Sequence, residues 1–188
     1  MTRGFAAATP LIALSVLAGA CAPSTRTDPE TCMTFAESVT IIRDEWGIPH
    51  IYGPTDASVV FGLTWARAED RFDRMEEFYV RCLGRTAEVY GEAGLAMDVL
   101  TRANEVVAQS KAEYERSGPE IRALCDAFAD AMNAFIARHP DRAQHIDRYE
   151  PWFVFAGERV FWSLRVQLAR DPGQGNARGR HARQPRGV

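Results

Sequence analysis

From Ser38 to Arg43 the β-branched residues Val39, Thr40, Ile41 and Ile42 follow one another, a run that favours an extended strand. Gly47 marks a turn, and Pro49 steers His50–Tyr52 into a second short extended piece. From Asp56 onward the apolar spacing changes from two to about 3.6 residues, the period of a helix with one buried face. Val60, Leu63 and Ala66 form one stripe and Phe72, Met75, Tyr79 and Cys82 another, so one long or broken helix is expected up to Gly84. The clearest helical stripe is Ile121, Leu124, Cys125, Phe128, Met132, Phe135 and Ile136. Ser117 and Glu120 precede it in a capping-box arrangement, and His139-Pro140 ends it. A last apolar stretch, Trp152 to Leu168, reads as helix, and no internal repeat is visible. The pattern as a whole predicts a mainly α fold with a short N-terminal β segment.

The two ends do not share this pattern. Arg3, the apolar run Pro10–Leu17 and the small residues Ala18-Gly19-Ala20 make residues 1–20 an export signal, too short in its apolar part to be a permanent membrane span. Cys21 follows directly, so LAGAC reads as a lipoprotein signal with Cys21 as the lipidation site, and plain secretion is the other option. Residues 22–34 are polar and proline-bearing and read as a tether. Residues 35–170 form the folded region. The segment 171–188 carries four arginines against one acid, a net +3 beside −6 for the remainder of a chain whose total is −3. With almost nothing to bury, that segment reads as a disordered basic tail, out of frame or following a truncation.

The overall charge of −3 gives no basic field for nucleic acid, so no nucleic-acid partner is expected, and contact with a membrane would run only through the lipid anchor. Cys21, Cys32, Cys82 and Cys125 show neither C-x-x-C nor zinc spacing. Cys82 and Cys125 fall on apolar helical faces and read as buried thiols, while a Cys21–Cys32 pair stays open under plain secretion. Glu69, Asp70, Asp73, Glu76 and Glu77 interleave with Arg67, Arg71 and Arg74, which reads as a helix with neutralising pairs such as Asp70–Arg74. His139 and His145 lack metal-ligand spacing and read as surface residues.

Three stretches carry a resemblance. They are IIRDEWGIPHIYGPTDASVVFGL (41–63), WARAEDRFDRMEEFYVRCLGRTAEVYGE (65–92) and IRALCDAFADAMNAFI (121–136). In order and spacing they resemble the opening of penicillin acylase family precursors: R-D-x-x-G-[VI]-P-H-I, then A-x-A-E-D-R-x-x-x-M-E, then L-G-R-x-A-E-x-x-G. The likeness runs from about Thr40 to Trp152, with departures at Arg67, Asp73 and Thr86. It implies the α-chain portion of an αββα N-terminal nucleophile hydrolase, a precursor that cleaves itself so that a serine becomes the N-terminus of a β chain. That serine attacks an amide carbonyl with its own α-amine as base. The expected activity is hydrolysis of the amide of N-acyl small molecules: β-lactam, acyl-homoserine lactone or lipopeptide side chains. The expected partner is the β chain, and the expected place is the periplasm.

None of Ser38, Ser58, Ser110, Ser117 and Ser163 stands in the Gly-Ser-Asn context of the family's cleavage point. No catalytic residue is therefore assigned within the chain, which is expected to be inactive alone. The resemblance makes Arg43, Asp44 and His50 architectural, with Gly47 and Pro49 shaping a turn and the charged pair tying strand to helix. It places Phe161, Arg165 and Leu168 in the acyl pocket. Some members hold structural calcium through an α-chain glutamate beyond a tryptophan resembling Trp152; no matching acid stands here, so neither metal nor cofactor is assigned. The rival reading is a non-enzymatic, lipid-anchored helical binding protein.

Overall fold

The computed structural model describes residues 37–170. The export signal, Cys21, the tether, the Cys21–Cys32 question and the basic tail lie outside the described residues. Strands β1 (Thr40–Arg43) and β2 (Pro49–Tyr52) pair antiparallel, with Ile41 opposite Ile51 and Ile42 opposite His50. The turn between them is built around Asp44. Its Oδ1 accepts the N–H groups of Trp46 and Ile48, each at 2.9 Å, and Gly47 takes the left-handed φ of +77° that the reversal needs.

Helix α1 (Asp56–Cys82) begins at a true capping box. Thr55 accepts the Ser58 N–H while the Ser58 hydroxyl accepts the Thr55 N–H. The helix breaks at Arg71 (φ −151°, ψ 56°), as the change of stripe in the sequence suggested. The break takes i+4 donors away from the carbonyls of the preceding turn, and arginines from two other segments reach that turn: Arg43 to Ala66 O and Arg142 to Glu69 O, each at 3.5 Å. The C-terminus closes on Gly84 at φ +65°, with Gly84 N–H on Arg81 O and Arg85 N–H on Val80 O.

Between Arg85 and Arg116 no apolar period marks an element in the sequence. The structure has α2 (Thr86–Tyr90), a 3₁₀ turn (Gly91–Gly94), α3 (Leu95–Ala103) and α4 (Val106–Arg116). Helix α2 is too short to show a period, and its start is capped from a distance. Asp98 of α3 accepts the N–H groups of Thr86 (2.6 Å) and Ala87 (2.8 Å). Burial alone would push the Asp98 carboxyl up, but those two N–H bonds, with Thr86 and Arg102, hold it below the ordinary carboxylate range.

Helices α5 (Pro119–Arg138) and α6 (Phe153–Arg170) complete the element order. The capping box expected at Ser117–Glu120 does not form. Gly118 occupies the N-cap position, Pro119 starts the helix, and the Ser117 hydroxyl turns back to Glu113 O at 2.8 Å. The core lies where α1 crosses α5 and the start of α6: Phe72 stacks on Phe135 at 5.2 Å, and Tyr149 meets Tyr79 and Phe153 edge-on. Cys82 and Cys125 are buried free thiols in this region. Burial, largest among the causes, pushes Cys82 up to about 12 and Cys125 up to about 11. The fold is thus mainly helical with one two-stranded sheet, as its periodicity predicted, and no helix among the described residues is long and apolar enough to cross a membrane.

Candidate functional site

Helix α6 separates two concavities. On one side an open groove of about 850 Å3 runs between α1, α5 and α6, and Phe161 stands on its wall. On the other side a depression of about 780 Å3 lies between α4 and α6, with Glu105, Glu113, Arg159 and Trp162 around it. Three nearby residues on α6, Phe161, Trp162 and Arg165, make one exposed patch. Phe161 is 46% and Trp162 59% exposed, their rings meet edge-on at 5.9 Å, and the Arg165 guanidinium lies 5.5 Å from one ring centre and 5.8 Å from the other. The Trp162 indole donates to Glu158 at 2.9 Å.

Phe161 and Arg165, nominated from the resemblance, are therefore brought together. Leu168 belongs to the last turns of α6, and its side chain lies outside the described part. Trp162 completes the patch; the sequence shows only that a tryptophan follows Phe161, and its exposure belongs to the fold.

The charged residues of α1 do something other than pair along the helix. Asp70 is bound by Arg43 of β1 at 2.9 Å rather than by Arg74, and Glu69 by the same guanidinium at 3.3 Å. Arg43 thus ties strand to helix, while its neighbour Asp44 serves the turn and accepts from His50 at 3.2 Å. The Asp44 carboxyl is held low, first by the Ile48 N–H and then by His50 and Trp46. Glu77 collects the Tyr90 hydroxyl (2.7 Å), Arg74 (3.0 Å) and Arg81, and with Tyr90 the leading cause its pKa is lowered.

Glu76 is the residue sequence reasoning misplaced. It is not one of a set of neutralising pairs: only 3% exposed, its Oε1 accepts the N–H groups of Gln144 (3.0 Å), His145 (2.8 Å) and Ile146 (3.0 Å). The connection from α5 to α6 is gripped again at Tyr149, where Asn133 both accepts the N–H (2.8 Å) and donates to the carbonyl (2.9 Å). The signal was a carboxylate inside the Phe72–Met75–Tyr79 stripe. His139 is exposed with its ring on Phe135, and His145 is half-buried.

Four of the five candidate serines spend their hydroxyls on local backbone carbonyls. Ser58 donates to Thr55 O (2.6 Å), Ser110 to Val106 O (2.6 Å), Ser117 to Glu113 O (2.8 Å) and Ser163 to Arg159 O (2.8 Å). An engaged hydroxyl of this kind, with no base beside it, is not an activated nucleophile. None of these four hydroxyls reaches His50, whose ring nitrogen is paired with Asp44 at 3.2 Å, so they complete no triad with Asp44 and His50. What the described residues can do chemically is line and anchor, through the α6 patch and the groove beside it.

The penicillin amidase family model matches residues 38–181. Penicillin acylase 2 proenzyme of Pseudomonas sp. (strain SE83) is 33% identical over 99 residues, 53% of this chain but only 13% of that protein. The acyl-homoserine lactone acylase QuiP of Pseudomonas aeruginosa is 28% identical over 139 residues, 71% of this chain and 16% of that protein. Penicillin G acylase of Escherichia coli is 32% identical over 101 residues, 54% of this chain and 12% of that protein. Among solved structures, a thermostable penicillin G acylase from Alcaligenes faecalis superposes with a TM-score of 0.56 at 20% identity. The match covers 80% of this chain and 96% of the chain compared, a likeness that shows the fold.

Proposed function

Because the chain belongs to the penicillin amidase family, we propose that it is the α region of an exported amidohydrolase whose catalytic serine lies on a β region of the same precursor. The reaction is hydrolysis of the amide of an N-acyl compound, of the β-lactam, acyl-homoserine lactone or lipopeptide class. The single observation carrying this reading is the family match over residues 38–181, which takes in the RDEWGIPHI and ARAEDR segments. The serines of the described helices support the second half of it, since their hydroxyls are held by backbone carbonyls. In this reading Phe161, Arg165 and Leu168 belong to the acyl side of the substrate site, and the chain is inactive alone. Cys21 carries the lipid that holds the enzyme on the periplasmic side of a membrane.

Two measurements test the proposal. Genomic sequence beyond codon 170, read in all three frames, is expected to contain a Gly-Ser-Asn site followed by a long β region. The purified 188-residue chain is expected to release no amine from penicillin G or from a long-chain acyl-homoserine lactone. Sustained hydrolysis by the chain alone, or downstream DNA without a β region in any frame, refutes it.

A further inference from the structure

The depression between α4 and α6 lies beside the point where the chain leaves the described fold. Phe155, Glu158, Arg159, Trp162 and Ser163 form its α6 wall, three and four residues apart along one helix face. Seven residues beyond Ser163, the same face arrives at Arg170, the last residue of α6. The sequence then reads Asp171-Pro172-Gly173, the residue types that stop a helix and turn the chain. Beyond that turn stand Arg178, Arg180, Arg183 and Arg186, with no acidic residue among residues 172–188.

The depression itself carries the opposite charge. Three glutamates, Glu105, Glu113 and Glu158, line it against a single arginine, Arg159. That arginine is already held, by Gln109 at 2.9 Å and by Glu113. Glu158 is exposed and spends one carboxylate oxygen on the Trp162 indole, at 2.9 Å. Glu105 is exposed at the entrance to α4, and its carboxylate bonds to no other described residue. Trp162, 59% exposed, adds an aromatic surface of the kind on which guanidinium groups stack.

We propose that residues 171–188 turn back along α6 and dock in this depression, their arginines paired with Glu105 and Glu158 beside Trp162. Reach favours it: Trp162 lies eight residues before Arg170, about 12 Å along the helix, whereas eighteen extended residues span about 60 Å. Attachment favours it as well, since a tethered segment is present at an effective concentration of about a millimolar, which a free cation has to match. The composition of the segment gives it nothing to bury and hence no fold of its own, but docking by charge requires none. The inference is independent of the acylase reading, because it joins two parts of this chain and requires no hydrolysis.

The test is limited trypsin digestion of the full 188-residue chain, with cleavage after Arg178, Arg180 and Arg183 timed by mass spectrometry. At about 10 mM salt, the double variant Glu105→Gln/Glu158→Gln is expected to be cut at these sites at least about fivefold faster than the parent. A control variant, Glu45→Gln/Glu92→Gln, removes the same charge from exposed positions outside the depression and is expected to be cut at the parent's rate. At about 1 M salt, where charges are screened beyond about 3 Å, parent and double variant are expected to become equal. Glu105 and Glu158 are both exposed, so their variants test docking rather than folding, and circular dichroism checks that. Equal rates at low salt, or an equal acceleration in the control variant, overturns the proposal. Protection that grows with chain concentration also overturns it, because the segment then occupies the depression of a second copy.

Discussion

Glu76 is where one side-chain change has the largest calculable effect. Its carboxylate oxygen receives three backbone N–H groups from the connection between α5 and α6, at 2.8–3.0 Å, in a setting where Glu76 is almost wholly buried. A hydrogen bond to a charged acceptor contributes about 1.5–3 kcal/mol net, and a buried donor left without an acceptor costs about 1–3 kcal/mol. The three bonds do not add. Gln144 is exposed and His145 half-buried, so water can reach two of the N–H groups after truncation, while Ile146 stays buried. Glu76→Ala is therefore expected to cost about 3–5 kcal/mol, near the cost of removing one member of a buried charged contact. Glu76→Gln keeps a carbonyl acceptor in place and is expected to cost about 1–2 kcal/mol. Against a typical domain stability of about 5–15 kcal/mol the alanine change is severe. Urea unfolding followed by far-ultraviolet circular dichroism, at neutral pH and with unchanged m, reads both values. An alanine variant within about 0.5 kcal/mol of the parent would refute the claim that this carboxylate organises the connection.

Other expectations follow from equally local geometry. A methyl group added at Gly62 would stand 2.5 Å from Val39 Cγ1 and 2.8 Å from Ile51 Cγ2, so Gly62→Ala is expected to cost about 1–3 kcal/mol and to loosen the hairpin, seen as faster proteolysis between residues 39 and 52. Glu105 precedes α4 at φ +50°, a left-handed position, and Glu105→Gly is expected to raise stability by about 0.5–1 kcal/mol in the same urea assay. Cys82 and Cys125 hold their protons up to about 12 and about 11 in the fold, against an ordinary value of 9.0. Because the folded values are the raised ones, their contribution is complete below pH 9 and declines as pH rises through that window. Thiol labelling at pH 8, resolved by peptide mass, should therefore be slow at both cysteines and accelerate with urea; prompt labelling of folded protein contradicts the burial argument. The carboxyl of Asp98 shows the opposite sign, lowered from 3.8, so its capping contribution should be lost as pH falls below that value and absent in Asp98→Ala, whose acid unfolding curve would show the difference.

Local periodicity and punctuation were enough for the elements whose signal repeats over several turns. The stripe from Ile121 to Ile136 became α5, the two stripes between Val60 and Cys82 became one helix broken at Arg71, and the β-branched run with Gly47 became the hairpin. Family membership was legible for a similar reason, because it rests on residue order alone. Short elements were not legible: α2 has five residues, fewer than two turns, and depends on Asp98 from another helix to satisfy its first N–H groups. Ser117–Glu120 carried the letters of a capping box, yet the hydroxyl chose the carbonyl behind it, while Thr55–Ser58 formed one without the usual glutamate. Charge partners were the least predictable. Sequence spacing offers Asp70 an arginine four residues on, whereas the fold brings Arg43 to it from 27 residues away and hands Glu76 three backbone donors from about 70 residues away. A helix face and a family motif are properties of neighbours along the chain; ion-pair partners and a capped distant helix depend on distances that exist only once the helices have packed.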